Sequence, residues 1–533
     1  MAVLRKAAHL VGKPFSSIPG PKLYPLVGNL PQYVFGPFDR LKYQHALLAH
    51  HKEYGPIVKE NLGGREIIHV FDPDDIKTVY SHEGKYPEIP PLQETTQLYR
   101  AGKQMSLGIG NTNGDEWYRL RSNAHHRMLR PKEVAYHLPR VNIIAQEFAG
   151  RLEKVKCGSS EEVNDLKTEV GRWNLETAGM LVFDKRLGCF ELGSDGEEFS
   201  RKMVEANSIV FELAGVLKLS FPLYRYIATP KWRKMVHYED YLYSEAIRLV
   251  EEAIKQFREE IEKDTTSSVN SEKFYLLSYL LSKEELSLKD VTVICLSVFL
   301  DGLSTTSPSL LFILYSLATN NRVQEKVYKE VTKVVGMDPN TSITPQHIAK
   351  MTYLKAFVKE TFRMWPNGTE VSRYIDKDMI LSGFEVPAGT HVDLNPNVNF
   401  RNPQIFPDPD LLIPERWIQH IKQDSEDITG AYPHDEGDNA YEVEAGGIPL
   451  HPGEFDRYAL AASKAHPFLL TPFSHGTRMC AGRRFAEQHL YVVLATLVRK
   501  FNMQYPAGES MGQVYHTLLF PDRPIRVIFK NRH

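Results

Sequence analysis

The stretch "PFSHGTRMCAGRRFAE", residues 472–487, holds one cysteine, Cys480, among glycines and arginines. The residues that follow, "RRFAEQHLYVVLATLVRKF", have helical periodicity, so Cys480 stands just ahead of a helix N-terminus. There the helix dipole and the free N–H groups lower a thiol pKa. Gly476 and Gly482 let the backbone fold closely around the sulfur. Such a thiol serves as a structural residue, a nucleophile or a metal ligand. A nucleophile needs a base, and His475 and His489 are close in sequence. A lone thiolate also serves as the axial ligand of a haem iron, where it pushes electron density onto the metal and favours O–O cleavage.

Bulk properties narrow the setting. A chain of 533 residues would by default make two domains. Hydrophobic content of 42% and charged content of 24% describe an ordinary globular protein. The net charge of −2 gives no global case for nucleic-acid binding. Cys157, Cys189, Cys295 and Cys480 are widely spaced, which argues against a zinc site or a disulfide scaffold and suits a reducing compartment. No stretch reaches the roughly 18 to 20 apolar residues that span a bilayer, because the run near "VTVICLSVFL" is broken by Asp301. The N-terminal "MAVLRKAAHLVGKPFSS", residues 1–17, carries Arg5, Lys6 and Lys13 and no acid. Its composition is that of a mitochondrial presequence, and equally of a plain basic tail.

Along the chain, "SIPGPKLYPLVGN" reads as an extended hinge. "GPIVKENLGGREIIHVFDP" alternates around Gly63-Gly64 as a β-hairpin. Helical periodicity dominates from about 135 to 363. "DVTVICLSVFLDGLSTTSPSLLFILYSLATN" predicts one long buried helix, started by Ser287 or Asp290 and ended at Asn320-Asn321. "HIAKMTYLKAFVKETFRMWP" predicts another, stopped at Pro366, and "GFEVPAGTHVDLNP" a hairpin joined by Pro387-Ala388-Gly389. Residues 424–456 contain ten Asp or Glu and no Lys or Arg, the pattern of a solvated surface loop.

The cysteine stretch resembles the haem-ligand loop of the cytochrome P450 family, Phe-x-x-Gly-x-Arg-x-Cys-x-Gly then Ala, through Phe473, Gly476, Arg478, Cys480, Gly482 and Ala486. Further matches follow in the family's order. "WYRLR" supplies Trp117 and Arg121, "KETFR" supplies Glu360 and Arg363, and "PERW" supplies Arg416. The resemblance implies that Cys480 ligates the iron of haem b, with O2 as co-substrate. It implies that Arg121, Arg373 and Arg478 hold the haem propionates, which the planar guanidinium fork suits. It makes Glu360, Arg363 and Arg416 an ion-pair network behind the haem. Locally, Glu360 and Arg363 could equally be a surface pair worth a few tenths of a kcal/mol. The implied fold is mainly α with small β-sheets, one catalytic domain over 18–533, which overrides the two-domain default.

In "FLDGLSTTS", Gly302, Thr305 and Thr306 match the family's oxygen-binding helix, and Thr305 is implied to help deliver protons. A Ser/Thr cluster also back-bonds to the preceding turn. The family's acid before the threonine is Ser304 here, and Asp301 stands at a small-residue position. Asp301 then supplies the acid, binds a polar substrate group, or turns away. Pro308 removes a hydrogen bond one turn later, enough to kink the helix.

"RPKEV", "RWNLETAGMLVFDKRLGC" and "DEWYRLRS" are similar to the animal mitochondrial group. That implies a mitochondrial location on the matrix side of the inner membrane, peripheral membrane contact, a monomer, and electrons from NADPH through ferredoxin reductase and ferredoxin. Lys355 and Lys359, at i, i+4 on one helix face, and Arg483 and Arg484 are candidates for a ferredoxin-docking surface; solvated surface lysines are the plain alternative. The segment "YPEIPPLQETTQLYRAGKQM" is expected to cover the substrate pocket, with Phe299, Thr369, Val371 and Leu518 lining it. The substrate class implied is lipophilic, sterol-like or a foreign compound. A peroxide-rearranging haem-thiolate protein and a ligand sensor are the alternatives.

Overall fold

The computed structural model describes residues 12–263, 273–418, 458, 466–506 and 508–532. The acidic segment 424–456, and all but residues 12–17 of the basic N-terminal segment, lie outside the described residues. The described chain is mainly α, with small sheets near the N-terminus and the C-terminus.

Ten helices position the site: α1 (Glu94–Gly102), α2 (Gly114–Leu129), α3 (Leu138–Val155), α4 (Leu166–Phe183), α5 (Asp195–Lys218), α6 (Pro230–Lys263), α7 (Leu288–Ser304), α8 (Thr306–Thr319), α9 (Thr352–Met364) and α10 (Arg483–Lys500). Two buried apolar clusters organise them. Leu310–Leu314 of α8 pack with α3, α9 and α10, whereas Ile294–Leu296 and Phe299 of α7 pack with α5 and α6. The stretch 288–319 therefore belongs to both cores, and their seam falls where α7 gives way to α8.

That seam corrects the expectation of one continuous helix. A capping box starts α7: the Ser287 hydroxyl accepts from the Asp290 N–H at 3.2 Å and Asp290 Oδ2 accepts from the Ser287 N–H at 3.0 Å. The helix breaks at Thr305 (φ −122°, ψ −65°) and restarts at Thr306. The restart places Pro308 in the first turn of α8, where a missing N–H costs least. Leu288–Thr319 is apolar and long enough to cross a membrane, contrary to the reading from its sequence. Here it is an interior element, broken in the middle, with 56% of its most apolar window buried in protein.

The four-stranded sheet runs β1 (Ile57–Leu62), β2 (Arg65–Val70), β4 (His391–Leu394), β3 (Val371–Tyr374). β1 and β2 form the expected hairpin, with Leu62 opposite Arg65 and Gly63 and Gly64 both at positive φ. β4 is not the partner of Phe384–Val386, as "EVPAGTHV" suggested. Phe384–Val386 pairs with Met379–Leu381 through a turn at Ser382-Gly383, and Pro387–Gly389 is a corner between two sheets. β4 is instead buried as a central strand, parallel to β2 and antiparallel to β3. The expected helix 347–366 is likewise two pieces, Pro345–Lys350 and α9, separated at Met351. A hairpin of β5 (Gln513–His516) and β6 (Leu518–Pro521) turns at Thr517.

Candidate active site

A cavity of about 1280 Å³ lies between α7 and the cysteine loop, walled also by residues of α1, α2, α5, α6 and β3. Of the four cysteines only Cys480 lines it. Cys189 and Cys295 are buried in the helical core, and Cys157 is at the surface. Tight backbone turns build the loop. Ser474 and Gly476 take positive φ, and the Cys480 N–H donates to the Phe473 carbonyl at 2.8 Å. The sulfur is open to the cavity but enclosed by protein, and that burial pushes the thiol pKa up. The Gly482 and Arg483 N–H groups and the charge of Arg121 oppose the rise. Gly482 caps α10, so the sulfur faces the start of that helix. Neither candidate base is hydrogen-bonded to it. His475 packs edge-on against Phe468, with ring centroids 4.8 Å apart. His489 also lines the cavity, with Nε2 unpartnered and its pKa pushed down to about 4 by burial.

Three buried or half-buried arginines converge beside this loop. Arg121 Nη2 donates to the Met479 carbonyl at 2.8 Å, and its Nε has no partner. Arg373 on β3 pairs with Glu83 at 2.5 Å and reaches the Ser474 hydroxyl at 3.3 Å. Arg478 donates to the carbonyls of Pro87 and Thr112 at 2.8 Å and to Asn113 Oδ1 at 2.6 Å, with its guanidinium 4.1 Å from the Trp117 ring centroid. Burial, then the charges of Arg373 and Arg121, push Arg478 down to about 9. The only carboxylate that pairs with any of the three, among the described residues, is Glu83. Excess buried positive charge, an orphan Nε and an enclosed thiol fit a haem carrying two propionates. Trp117 and Phe473 line the same cavity.

On the opposite element, Asp301, Gly302, Ser304, Thr305 and Thr306 all line the cavity. The Thr305 hydroxyl donates to the Asp301 carbonyl at 2.7 Å, and Ser304 Oγ to the same carbonyl at 3.1 Å. The back-bonding reading is thus present together with cavity access. At the break the Thr305 carbonyl accepts the first N–H bond of α8, from Ser309 at 3.1 Å, and a second bond from Asn367 Nδ2 at 2.7 Å. The Asp301 carboxyl is open to the cavity yet shut off from the exterior, and burial pushes it up to about 6, opposed by Arg100. A Cβ on Gly302 would lie 2.6 Å from the Asn174 amide. The glycine is a notch through which α4 sends Asn174 to the cavity wall, its Oδ1 unpartnered.

Glu360 is fully buried and saturated. It accepts from Arg363 Nε at 3.0 Å and Nη2 at 2.8 Å, Arg416 Nε at 3.2 Å, Trp417 Nε1 at 2.8 Å and the Ile413 N–H at 3.1 Å. This is no surface pair. Lys355 and Lys359 are half-buried on α9. Lys355 Nζ donates to the Ala349 carbonyl at 3.0 Å, and Lys359 Nζ sits 4.8 Å from the Trp417 ring centroid. Arg483 pairs with Glu487 at 3.0 Å, and Arg484 is half-exposed.

Thr369, Val371 and Leu518 line the cavity, as do residues 89–97 of the expected covering segment. Phe299 does not. It points away, fully buried, with its ring 5.1 Å from that of Phe183, because its side of α7 packs into the helical core while Ser297, Val298, Leu300 and Asp301 turn to the cavity. Glu83, Arg100, Asn174 and Glu239 are cavity or loop partners that motif spacing does not reveal. Arg100 alone had a signal, a cation inside the segment expected to cover the pocket.

A family model described as "Cytochrome P450" matches residues 18–529. A probable cytochrome P450 CYP44 of Caenorhabditis elegans is 39% identical over 516 residues, covering 95% of this chain and 92% of the relative. Cytochrome P450 10 of Lymnaea stagnalis is 29% identical, covering 98% of this chain and 86% of the relative. The mitochondrial sterol 26-hydroxylase of Rattus norvegicus is 29% identical, covering 97% of this chain and 89% of the relative. With the family match running across 18–529 and the worm relative aligning over 95% of the residues, this chain belongs to the cytochrome P450 family.

Proposed function

We propose that this P450 monooxygenase, which uses haem b on a cysteine thiolate and O2 as co-substrate, is a ferredoxin-dependent mitochondrial enzyme that hydroxylates a lipophilic, sterol-like substrate. The observation that carries the reading is Cys480, alone of four cysteines on a cavity of about 1280 Å³, with Thr305 on another wall and three arginines beside its loop. Bound haem supplies O2 activation. The chain supplies the rest. Cys480 Sγ would hold the iron, and the N–H groups of Gly482 and Arg483 beside it favour the charged thiolate. Arg121, Arg373 and Arg478 would hold the propionates, and Arg121 and Arg478, which have no carboxylate partner among the described residues, would gain one there. Asp301, held near pKa 6, carries the proton that Ser304 cannot buffer, and Thr305 Oγ1 presents it to the cavity. The enclosed wall excludes bulk water from the reacting bond.

The donor and location rest on relatives named mitochondrial, among them cytochrome P450 302a1 of Drosophila melanogaster at 28% identity, and on the basic residues of α9 and α10. The sterol-like class rests on the sterol and vitamin D hydroxylases among the relatives. The test is twofold. The reduced carbon monoxide complex is expected to show the red-shifted Soret band of thiolate ligation, lost in Cys480→His. Product is expected with NADPH, ferredoxin reductase and ferredoxin, and not with a microsomal flavoprotein reductase. Full turnover on peroxide alone, with no gain from ferredoxin, would sink the electron-transfer part.

A further inference from the structure

The cavity wall on the α1 and α6 side is polar without serving oxygen chemistry. Arg100 on α1 is buried and lines the cavity. Its Nε donates to the Tyr243 hydroxyl at 2.8 Å and its Nη1 to the Leu107 carbonyl at 2.6 Å. Among the described residues no carboxylate makes an ion pair with it, and its Nη2 has no protein acceptor. Glu239 on α6 is 3% exposed and lines the same cavity. Its Oε1 accepts from Thr96 Oγ1 at 3.2 Å, and no cation pairs with it among the described residues. Burial, opposed by Arg100, pushes Glu239 up to about 7. Tyr243 accepts from Arg100, so its own O–H proton remains to be given. A buried arginine and a buried glutamate that line one cavity, yet do not pair with each other, leave both a donor and an acceptor unsatisfied. Each such group is costly unless something completes it.

The signs decide what completes it. A cation gains from Glu239 and Asp301 but meets Arg100. An anion gains from Arg100 but meets two carboxyl groups. A neutral hydroxyl donates to Glu239 and accepts from Arg100 or Tyr243, satisfying both sides without new charge. We propose that Arg100, Tyr243 and Glu239 anchor a hydroxyl group on an otherwise apolar substrate, so that the enzyme acts on lipophilic alcohols in preference to amines, acids or plain hydrocarbons. This rests on the haem-thiolate reading of Cys480, since the anchored alcohol is what the cavity presents to the iron.

The experiment uses the holoenzyme and 1-alkylimidazoles of graded chain length ending in methyl, hydroxyl, ammonium or carboxylate. Imidazole ligation of the iron gives a Soret shift whatever the natural substrate. At one chain length the hydroxyl terminus is expected to bind about tenfold tighter than each of the other three, the worth of a satisfied pair of buried hydrogen bonds. In Glu239→Leu that preference is expected to fall below about twofold while methyl-terminated binding is kept. Tyr243→Phe, which preserves the ring packing, is expected to lose about threefold for the hydroxyl probe alone. Equal affinities at every length, or tightest binding of ammonium or carboxylate, would overturn the alcohol assignment while leaving the haem reading intact. Absence of any Soret shift would overturn the haem reading and the assignment with it.

Discussion

Glu239 shows how an unpaired carboxyl inside a protein taxes the fold in a pH-dependent way. Its pKa rises from 4.5 to about 7 on folding, chiefly through burial. The folded state therefore holds a proton that the unfolded chain releases. Below the unfolded value the group costs nothing; as pH rises from 4.5 through about 7 the cost grows, then levels off. Glu239→Gln is thus expected to be more stable than the parent at pH 8, by at most about 3.5 kcal/mol at ~1.4 kcal/mol per unit. The gain should shrink to nothing toward pH 4.5. Denaturation midpoints of parent and variant across this range check it, and parallel curves would contradict it. None of this was legible in "HYEDYLYSE", where Glu239 is one acid among several on an amphipathic helix. Burial and the missing cation are tertiary facts. That Cys480 and Arg478 share one cavity wall was legible because a local loop, whose glycines and spacing are written in consecutive residues, places both.

At the scale of elements, the notch at Gly302 is the clearest test of how α7 and α4 meet. Alanine at 302 would gain about 1 kcal/mol of helix propensity, but its Cβ would stand 2.6 Å from the buried Asn174 amide. Crowding in a packed core costs about 1–3 kcal/mol, so the clash wins. Gly302→Ala is expected to lower the thermal midpoint, and Asn174→Ala with Gly302→Ala to recover it to above the Asn174→Ala single variant. Independent, additive effects would show that the two do not touch. The long apolar pattern announced a buried helix and Pro308 a kink in it, but not a full break at Thr305, since periodicity continues unchanged through that residue. The break arises where two cores with different partners meet. "EVPAGTHV" misled for a related reason. Turn residues mark a change of direction, and only the third dimension tells whether the chain returns to the same sheet.

For the whole molecule, the question is how an electron carrier outside addresses a cavity inside. If Lys355 helps dock an acidic ferredoxin, Lys355→Glu is expected to raise the apparent KM for ferredoxin severalfold, with saturated kcat kept. It should also flatten the dependence of turnover on salt, because a lost charge pair no longer needs screening. Turnover measured against ferredoxin at several ionic strengths checks this; a salt response identical to the parent would remove Lys355 from the interface. The helix that carries Lys355 does more than present charge. Its middle is pinned by Glu360, which gathers Arg363, Arg416, Trp417 and the Ile413 N–H into one buried knot. Just beyond its end, Asn367 grips the Thr305 carbonyl and the Ser309 hydroxyl, each at 2.7 Å. α9 is therefore a stiff rod about 20 Å long, by its 13 residues at 1.5 Å each. It carries the lysine face along its length and, just past its far end, a clamp on the broken turn that lines the cavity. One helix therefore ties the lysines on its outer side to the gap in the long helix, so surface and cavity wall share a single brace.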